Sequence, residues 1–401
     1  MTPPPLPLEQ AQARLLALAT PLTIERVDVA SALGRYLAAP LLAGRTQPAA
    51  DLSAMDGYAV VAGDLAGPWQ VAGESAAGHP FAGSLVAGQA VRISTGALMP
   101  DTAGVVILQE DMRRDGDRLT LSGLPPRPEH KHIRRTGMDF SAGTSLLETG
   151  AKIGPAQVAL ALTAGHSHIA VRRVPRIAII DSGDELAADP EHCELHRIPA
   201  SNGAMLAALV SAIPCEVRRI GPVGDDLGAL AAAFDQAGSA DVIVTSGGVS
   251  VGDHDLIRPA LEAWGAQIGF WRVAIKPGKP LLVARKGHQI VLGLPGNPVS
   301  SHVTAFFFLL PLVRALSGSA RPLPCPVVSR LSGEIGAGGD RREFLRGAWD
   351  GNSVTPEVVQ DSGALAALAR SNALIERPPN APPLGNASEV RIYLLDNGGI
   401  A

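Results

Sequence analysis

The sequence predicts a multidomain α/β protein: a three-layer α/β domain with a mostly parallel sheet, joined to a helical layer, an inserted β-rich domain and a small C-terminal β domain. The first observation is length, because 401 residues correspond to two to four domains at roughly 100 to 200 residues each. Second, apolar strand-like runs alternate with helical runs over residues 176–320, as in parallel α/β domains. Third, short apolar runs separated by glycine and proline fill residues 51–140 and 321–401, as in β domains.

The helical layer is predicted from two separate stretches, residues 1–50 and 141–175. Residues 9–19 have a helix-forming composition, and residues 28–42 are predicted to hold a second helical segment. A third helical stretch, Ala156 to Ala164, is expected to return to the same layer. The N-terminus lacks a basic region followed by a continuous apolar run, so we do not expect a secretory signal.

The inserted β domain is predicted between these stretches, over residues 51–140. Its expected strands are Tyr58 to Val61, Ala90 to Ile93, Val105 to Gln109 and Leu119 to Leu121. The small C-terminal β domain is predicted over residues 321–401, after a proline-rich junction.

The α/β domain is predicted over residues 176–320. Its expected strands are Arg176 to Asp181, Cys215 to Ile220, Asp241 to Thr245, Gly269 to Ile275, Pro280 to Ala284 and Gln289 to Leu292. Its expected helices are Asn202 to Ile213, Asp225 to Ala237, Asp255 to Trp264 and about Val299 to Leu316. In an open parallel sheet the ligand lies beyond the carboxyl ends of the strands, because loops converge there and helix N-termini point at it.

The charge balance and the cysteines exclude several classes of protein. Lysine and arginine number 34 against 38 acidic residues, a net charge of −4, whereas a dedicated nucleic-acid binder usually carries a basic excess. The three cysteines form no CxxC pair, which argues against a disulfide framework or a four-cysteine zinc site. The longest apolar run, Val303 to Val313, is well short of the roughly 20 residues that span a bilayer. We therefore expect a cytoplasmic protein that binds neither nucleic acid nor membrane.

Four loops that follow predicted strands carry the residue types of an Mg²⁺-dependent phosphate site. These loops are Asp181 to Glu185, Ser246 to Asp255, Lys276 to Pro280 and Leu294 to Ser300. Glycines let backbone N–H groups approach oxygen atoms, lysines supply point charges, and carboxylates hold a hard cation. A single SGG or PGNP sequence is more often only a turn, but the convergence of four such loops at one sheet edge favours a ligand site.

Two details of these loops point to an anion. Asn297 is the predicted N-cap and Pro298 the first residue of a helix, which would leave free N–H groups for an anion, although capping alone explains both residues equally well. The chain has only five lysines against 29 arginines, and Lys276 and Lys279 both fall in one loop. A compact ammonium group that approaches an oxyanion is the favoured interpretation over two exposed lysines beside a turn.

Other nucleotide and metal motifs are absent or weak. The sequence contains no GxxxxGK[ST] and no GxGxxG, so neither a P-loop NTPase nor a standard dinucleotide dehydrogenase is supported. His192, Cys193 and His196 have the composition of a metal cluster, but their spacing matches no standard zinc pattern and a polar loop is the favoured interpretation.

Eight motifs in family order closely resemble the molybdopterin molybdenumtransferases, which include the bacterial MoeA proteins and the C-terminal part of eukaryotic gephyrin. The resemblance covers nearly the whole chain, and the motifs are Ser53 to Ala59, Arg92 to Ala97, Arg135 to Asp139, Ser182 to Leu186, Ser246 to Asp255, Lys276 to Pro280, Gly293 to Ser300 and Arg341 to Gly347. The resemblance implies the last step of molybdenum cofactor synthesis. Molybdate and adenylylated molybdopterin bind, the phosphoanhydride is cleaved with Mg²⁺ present, and AMP leaves.

The resemblance also implies a homodimer with its active site between subunits. The implied partners are the molybdopterin adenylyltransferase that supplies the substrate, and the molybdoenzymes or chaperones that receive the product. Position by position, the implied catalytic residues are Asp56, Thr95, Asp139, Glu185, Asp226, Asp255, Lys276 and Lys279. The implied binding residues are Ser246, Gly247, Gly248, Pro295, Gly296, Asn297, Pro298, Ser300, Arg342, Arg346 and Ser362. The implied Mg²⁺ ligands are Glu185, Asp226 and Asp255.

The chain departs from the family pattern at two places. The family often has an acidic residue before the second-domain Val-Val run, here Thr102 to Val106, and often threonine where this chain has Asp181. Asp181 could join a cation site or cap a loop, and capping is favoured because aspartate is a common turn residue.

Two alternative functions stay open. One is a non-catalytic pterin-binding or assembly protein. The other is a molybdopterin adenylyltransferase, which leaves the residues before the α/β domain unexplained.

Overall fold

A computed structural model describes residues 4–248 and 256–395 of the chain. Its first elements are α1 (Leu8–Leu16), β1 (Ile24–Asp28), β2 (Leu41–Leu42) and β3 (Leu52–Ser53). The helix predicted over residues 28–42 is wrong, since only Ala30–Ala32 form a short 3-10 turn there. Gly34, at a φ of +79°, ends that turn, and Tyr36 and Leu37 then bridge to Lys152 and Val171, so the backbone pairs with distant strands instead.

The inserted domain is a six-stranded sheet, as its short apolar runs predict. Its strands are β4 (Gly57–Val61), β5 (Trp69–Ser75), β6 (Gln89–Ile93), β7 (Ala103–Leu108), β8 (Met112–Asp115) and β9 (Arg118–Leu121). They lie in the order β7-β4-β6-β5-β9-β8. Alternate side chains of β4 enter two separate apolar cores, one on each face of the sheet.

The chain then returns to its first segment through three antiparallel pairs. The returning elements are β10 (Ile133–Arg134), β11 (Ser145–Leu147), α2 (Pro155–Thr163) and β12 (His168–Arg172). Strand β10 pairs with β3, β11 with β2, and β12 with β1, so both ends of the inserted domain are tied to the same layer. Pro155 at the first position of α2 suits a helix start, because proline there loses no intrahelical hydrogen bond.

The α/β domain alternates strand and helix as predicted. Its elements are β13 (Arg176–Ser182), β14 (Leu186–Ala187), β15 (Ile198–Pro199), α3 (Asn202–Val210), β16 (Glu216–Val223), α4 (Leu227–Gln236), β17 (Val242–Ser246), α5 (Ile257–Ala263), β18 (Gln267–Trp271), β19 (Ile275–Lys276), β20 (Leu282–Lys286), β21 (Gln289–Leu294), α6 (Pro298–Thr304) and α7 (Leu310–Leu316). The six-stranded main sheet has the order β16-β13-β17-β21-β20-β18, and its first four strands are parallel. The last two strands are antiparallel to their neighbours.

Two predictions for this domain change in detail. The strand expected over residues 269–275 is divided into β18 and β19, because Arg272 adopts a φ of +119° between them. Helices α6 and α7 are continuous through a π-helical turn at Ala305–Leu309. The resulting stretch, Pro298–Leu316, is long and apolar enough to cross a membrane, but 89% of it is buried inside the fold. Its phenylalanines belong to the largest apolar core, which is the packing of a central core helix.

The C-terminal domain is a third six-stranded sheet, and it includes one strand from the α/β domain. Its own elements are β22 (Val327–Leu331), β23 (Arg342–Trp349), β24 (Ser353–Pro356), α8 (Leu365–Arg370), β25 (Ala373–Arg377) and β26 (Glu389–Leu394). Strand β19 pairs with β23, so Lys276 lies opposite Glu343 on the edge of this sheet. The loop that carries the two clustered lysines is therefore fixed by the C-terminal domain.

Candidate functional site

A cleft of about 490 Å³ opens at the carboxyl edge of the parallel strands, where the sequence predicts the ligand. The ends of β13, β17 and β21 and the start of α3 form its floor, and the C-terminal domain contributes two residues to its wall. The lining residues are Asp181, Ser182, Glu185, Leu186, Ile198, Pro199, Ala200, Ser201, Asn202, Ser246, Gly247, Gly296, Asn297, Pro298, Gly363 and Leu365. Its lining combines polar residues with apolar ones such as Ile198 and Leu365, which suits a ring attached to a phosphate.

Asn202 joins three of the loops that meet in this cleft. It is the first residue of α3, and its side-chain Nδ2 donates to Ser246 Oγ at 2.9 Å and to the carbonyl oxygen of Gly296 at 2.6 Å. Both donor protons of the amide are therefore used to hold the SGG loop beside the PGNP loop. The sequence analysis did not identify Asn202 as a site residue.

Asp181 is buried at the end of β13, with 3% of its surface exposed. Its Oδ1 accepts a hydrogen bond from the Gly203 amide at 2.8 Å, at the start of α3, and Arg219 Nη2 lies 3.5 Å from Oδ2. Burial raises the pKa of Asp181 above its ordinary value, and these two donors partly offset that effect. Asp181 therefore accepts a backbone hydrogen bond at the start of α3, and its favoured interpretation as a loop cap and not a cation ligand stays a prediction.

Gly247, in the SGG loop, has no room for a side chain. Its φ is +106°, and a Cβ atom there would lie 2.5 Å from the carbonyl oxygen of Ser182. The turn therefore brings the SGG backbone against the end of β13, as a close approach to a ligand requires. Ser246, next to it, is 3% exposed and Gly248 has a φ of +63°. The rest of this predicted loop, Val249 to Asp255, lies outside the described residues.

The PGNP loop begins α6 as predicted, but not with the predicted cap. Pro298 is the first helical residue, whereas the side chain of Asn297 makes no capping hydrogen bond. Asn297 Nδ2 instead donates to Ser362 Oγ at 2.9 Å, and the Val299 amide donates to the Ser362 carbonyl oxygen at 3.2 Å. The C-terminal domain therefore occupies one of the N–H groups that the sequence left free for an anion.

The other PGNP residues and Ser300 are packed more deeply. Pro295 and Ser300 are buried, and Gly296 contributes the carbonyl that accepts from Asn202. The carbonyl oxygen of Ser300 accepts a hydrogen bond from Thr304 Oγ1 at 2.7 Å within α6. Pro295 and Ser300 are thus structural neighbours of the cleft and are not among its lining residues.

Lys276 lines a second, smaller cavity of about 280 Å³, whereas Lys279 is not among the residues that line it. Lys276 Nζ forms a 2.9 Å ion pair with Glu343, whose side chain is 9% exposed, while the lysine side chain is 56% exposed. This cavity is polar, and Glu334, Glu357 and Gln360 also line it. Lys279 is exposed, and its backbone carbonyl accepts from the Val273 amide. No side-chain partner of Lys279 is found among residues 4–248 and 256–395.

The two arginines predicted to approach molybdate have different surroundings. Arg342 forms ion pairs with Glu9 and, at 3.3 Å, with Glu376, so it links α1 to the C-terminal sheet. Arg346 is only 1% exposed, and its guanidinium donates to backbone carbonyls of the C-terminal domain. Their roles toward an anion stay predictions.

Asp56, Thr95 and Arg92 form a separate polar group on the inserted domain, which we name the Asp56 corner. Asp56 Oδ1 accepts from the Thr95 amide at 2.6 Å and from Thr95 Oγ1 at 3.0 Å. These two hydrogen bonds, with a smaller contribution from the Arg92 charge, hold the pKa of Asp56 below its ordinary value. Asp139 is exposed, and its amide donates to the carbonyl of Gln47. None of these residues lines the α/β cleft of the described chain.

The predicted metal ligands are only partly brought together. Glu185 lines the cleft, whereas Asp226 Oδ1 accepts from the Ala229 amide as the N-cap of α4. Asp255 lies outside the described residues. Residues 4–248 and 256–395 contain no group of three or more His, Cys, Asp or Glu side chains suited to a metal. His192 pairs instead with Asp189 and His196 with Glu194, both on an exposed loop.

The cleft residues that sequence reasoning missed are Ile198, Pro199, Ala200, Ser201 and Asn202 before and at the start of α3, and Gly363 and Leu365 of the C-terminal domain. Asn202 was placed only as the start of a helix, and its position directly after a strand-to-helix loop is the signal that could have identified it. No pattern in the sequence indicates that residues 150 positions or more beyond β13 return to its cleft, because that contact depends on domain packing.

Three protein-family profiles match successive parts of the chain. They are described as the MoeA N-terminal region (domain I and II), over residues 6–165, the Probable molybdopterin binding domain, over residues 178–315, and the MoeA C-terminal region (domain IV), over residues 329–395. The first profile spans the helical layer and the inserted domain, the second falls in the α/β domain and the third in the C-terminal domain.

Several relatives that align with most of the chain are described as molybdopterin molybdenumtransferases. A molybdopterin molybdenumtransferase of Haemophilus influenzae is 34% identical over 383 residues, which cover 92% of this chain and 94% of the relative. Gephyrin of Dictyostelium discoideum is 31% identical over 93% of this chain and 59% of its own length. The crystal structure of a molybdopterin biosynthesis moeA protein from Pyrococcus horikoshii OT3 has a TM-score of 0.83 at 26% identity, covering 98% of this chain and all of that one.

Proposed function

The chain belongs to the MoeA family of molybdopterin molybdenumtransferases, and from this premise we propose that it inserts molybdenum into adenylylated molybdopterin. It is a transferase of molybdenum cofactor biosynthesis. In the proposed reaction molybdate and adenylylated molybdopterin are the substrates, the phosphoanhydride is cleaved in the presence of Mg²⁺, and AMP is released.

The observation that carries this proposal is the convergence of three strand-end loops on one cleft, held together by Asn202. Cleavage of a phosphoanhydride needs positioning and charge neutralisation more than covalent chemistry by the protein. Gly296 and Asn297 of the PGNP loop are exposed, so this loop can offer backbone N–H groups to phosphate oxygens, and the apolar lining residues Ile198 and Leu365 suit a ring. We infer that the pterin nucleotide binds here.

Lys276 and Lys279 are the residues proposed to attract molybdate. Molybdate is a dianion, and lysine ammonium groups act on such an ion as compact charges. Lys279 is exposed and Lys276 is held at the edge of a polar cavity by Glu343. Glu343 already neutralises part of the Lys276 charge, so we assign the larger contribution to Lys279.

Mg²⁺ bound in this cleft would have few protein ligands. It is commonly bound by one or two carboxylates together with substrate phosphates and water. Glu185 is an exposed carboxylate that lines the cleft, and Asp226 retains one carboxylate oxygen beside its capping bond. Bound Mg²⁺ would neutralise charge on the phosphoanhydride. We propose Glu185, Asp226 and Asp255 as its ligands, with Glu185 as the principal one.

The dimer, the domain bounds and the cellular setting are proposed with the function. We infer a cytoplasmic homodimer in which Asp56, Thr95 and Asp139 face the cleft of the partner subunit. The four proposed domains are residues 1–50 together with 141–175, residues 51–140, residues 176–320 and residues 321–401.

The three cysteines are all free, as a reducing compartment allows. A molybdopterin adenylyltransferase would supply the substrate, and molybdoenzymes or their chaperones would receive the product.

The test is to incubate the purified chain with adenylylated molybdopterin, Mg²⁺ and molybdate, and to measure AMP. We expect AMP to appear in proportion to cofactor that activates an apo molybdoenzyme. A parallel reaction with tungstate reports metal preference. Tight binding of the pterin with neither product would indicate an assembly protein instead. ATP consumption with unmodified molybdopterin would indicate the adenylyltransferase step.

A further inference from the structure

One segment of the C-terminal domain, residues 357–365, reaches the α/β cleft of its own subunit. We propose that Arg346 is a positioning residue for this cleft: it fixes the 357–365 segment, and the segment fixes the PGNP loop. The inference rests on the proposed function of the cleft. It gives Arg346 a role inside the chain that does not require contact with a substrate.

The Arg346 side chain is built into the base of this segment. Its guanidinium is buried at 1% exposure, and Nη2 donates to the carbonyl oxygens of Val359 and Asp361, each at 3.0 Å. A buried guanidinium is costly unless it is hydrogen-bonded, so these carbonyls are strongly favoured near it. The planar fork of arginine also fixes the direction of such contacts better than a lysine ammonium does.

The backbone of Arg346 holds the same segment from its other side. The Arg346 amide donates to Gln360 Oε1 at 3.0 Å, and Gln360 Nε2 donates back to the Arg346 carbonyl at 2.9 Å. The Glu357 amide donates to that carbonyl as well, also at 2.9 Å. One residue of β23 therefore makes five hydrogen bonds to residues 357–361.

The far end of the segment holds the PGNP loop. Ser362 accepts from Asn297 Nδ2 through its hydroxyl oxygen and from the Val299 amide through its carbonyl. Gly363 and Leu365 then line the cleft itself. If the segment moves, Asn297 and Val299 lose their partners, and the cleft loses part of its wall at the same time.

A matched pair of variants separates this role from general stability. Arg377, on the neighbouring strand β25, is also 1% exposed and also donates to backbone carbonyls, those of Gly336, Ala381 and Pro382. Arg346→Lys and Arg377→Lys should both lower the melting temperature, since each leaves buried carbonyls less well paired. Only Arg346→Lys should loosen the PGNP loop.

The first readout is hydrogen exchange at the Val299 amide, which needs no turnover. We expect exchange of this amide to be about tenfold faster in Arg346→Lys than in Arg377→Lys, under conditions in which both variants are folded to the same extent. Equal exchange in the two variants would overturn the proposal. A clear difference in exchange together with a wild-type chain that releases no AMP would count against the proposed function and still support the positioning role.

The second readout is kinetic and adds Ser362→Ala, a half-buried position that is less demanding for folding. We expect the KM for adenylylated molybdopterin to rise about fivefold in Arg346→Lys and in Ser362→Ala, with a smaller change in kcat, and to stay unchanged in Arg377→Lys. The double variant should match either single variant within about twofold, because both changes interrupt one chain of contacts. Fully multiplicative effects, or an equal KM change in Arg377→Lys, would overturn the proposal.

Discussion

The α/β cleft and the Asp56 corner both carry predicted site residues, and they are built in opposite ways. In the cleft, Asp181 and Ser246 are each 3% exposed at the ends of buried strands, and Asn202 ties the neighbouring loops together. In the corner, Asp56 and Thr95 are exposed on turns and hydrogen-bond mainly to each other. The cleft is a recess at the edge of the sheet, whereas the corner lies on an exposed surface.

This difference indicates how the two regions can act. A cleft formed at strand ends has its backbone positions set by the sheet, and side-chain contacts such as those of Asn202 then hold its loops in place. An exposed carboxylate has no low-dielectric wall that would strengthen its electrostatic interactions. We therefore expect the Asp56 corner to act only when a second surface covers it. The proposed dimer supplies such a surface in the cleft of the partner subunit.

The largest expected effect belongs to the cleft. Asn202→Ala removes the amide that joins Ser246 to Gly296, and a small displacement of positioning groups can lower kcat/KM by about 10²-fold. We expect that loss in the AMP-release assay. Asn352→Ala, in an exposed turn of the C-terminal domain, is the control and should retain full activity. A change of less than about threefold in Asn202→Ala would show that the cleft does not depend on this bridge.

A somewhat smaller effect is expected at the Asp56 corner. Asp56→Ala should lower kcat/KM about thirtyfold, which corresponds to about 2 kcal/mol of transition-state stabilisation. The melting temperature should not change, because Asp56 is exposed. The matched control is Asp64→Ala in the same domain, since the Asp64 carboxylate also accepts a backbone hydrogen bond, from Gly88. Equal activity of the two variants would remove the corner from the site.

The exposed lysine loop should give a third, more modest effect. Lys279→Ala should raise the KM for molybdate about tenfold without lowering the melting temperature, since removal of one positive charge weakens the attraction to a dianion. The effect should shrink as salt is added. Lys286→Ala is the control, because Lys286 lies over the Trp264 ring, 3.7 Å from its centroid, away from both cavities. An effect that does not depend on salt would contradict a charge-based role.

Substitution of Asp181 should change the unfolding free energy more than the catalytic activity. Because burial raises its pKa in the folded state, the folded chain binds this proton more tightly than the unfolded chain does. Stability from this group is therefore present at low pH and falls as pH rises through its pKa. Asp181→Asn keeps the acceptor for Gly203 and lacks this dependence, so its unfolding free energy relative to wild type should increase as the pH rises through the pKa of Asp181. Urea titrations at several pH values measure the difference, and a decrease over that range would contradict the account.

The sequence predicted the α/β domain well because its signals are local. The five positions of β17 are all buried and lie between helical runs, and a short continuous apolar run of this kind is typical of a central parallel strand. The start of α6 at Pro298 also followed from local rules. The prediction for residues 28–42 failed because Tyr36 and Leu37 pair with residues more than a hundred positions away, and helix-like composition does not report such pairing.

The candidate site was predictable only in part, for the same reason. The SGG and PGNP loops follow strands and could be placed at one sheet edge from the sequence. The contacts that complete the cleft could not, since Asn297 binds Ser362 across two domains and β19 joins the C-terminal sheet. Side-chain partners of this kind depend on how domains pack, which hydrophobic periodicity does not encode.

The most direct test of the account asks whether the cleft and the Asp56 corner are two halves of one site. Asn202→Ala and Asp56→Ala subunits, each nearly inactive alone, are mixed under conditions in which subunits exchange, and AMP release is measured. If the site lies between subunits, about half of the dimers are mixed and each contains one intact site, so activity should return to about a quarter of the wild-type value. Activity that stays at the level of the separate variants, although exchange is verified, would contradict the account.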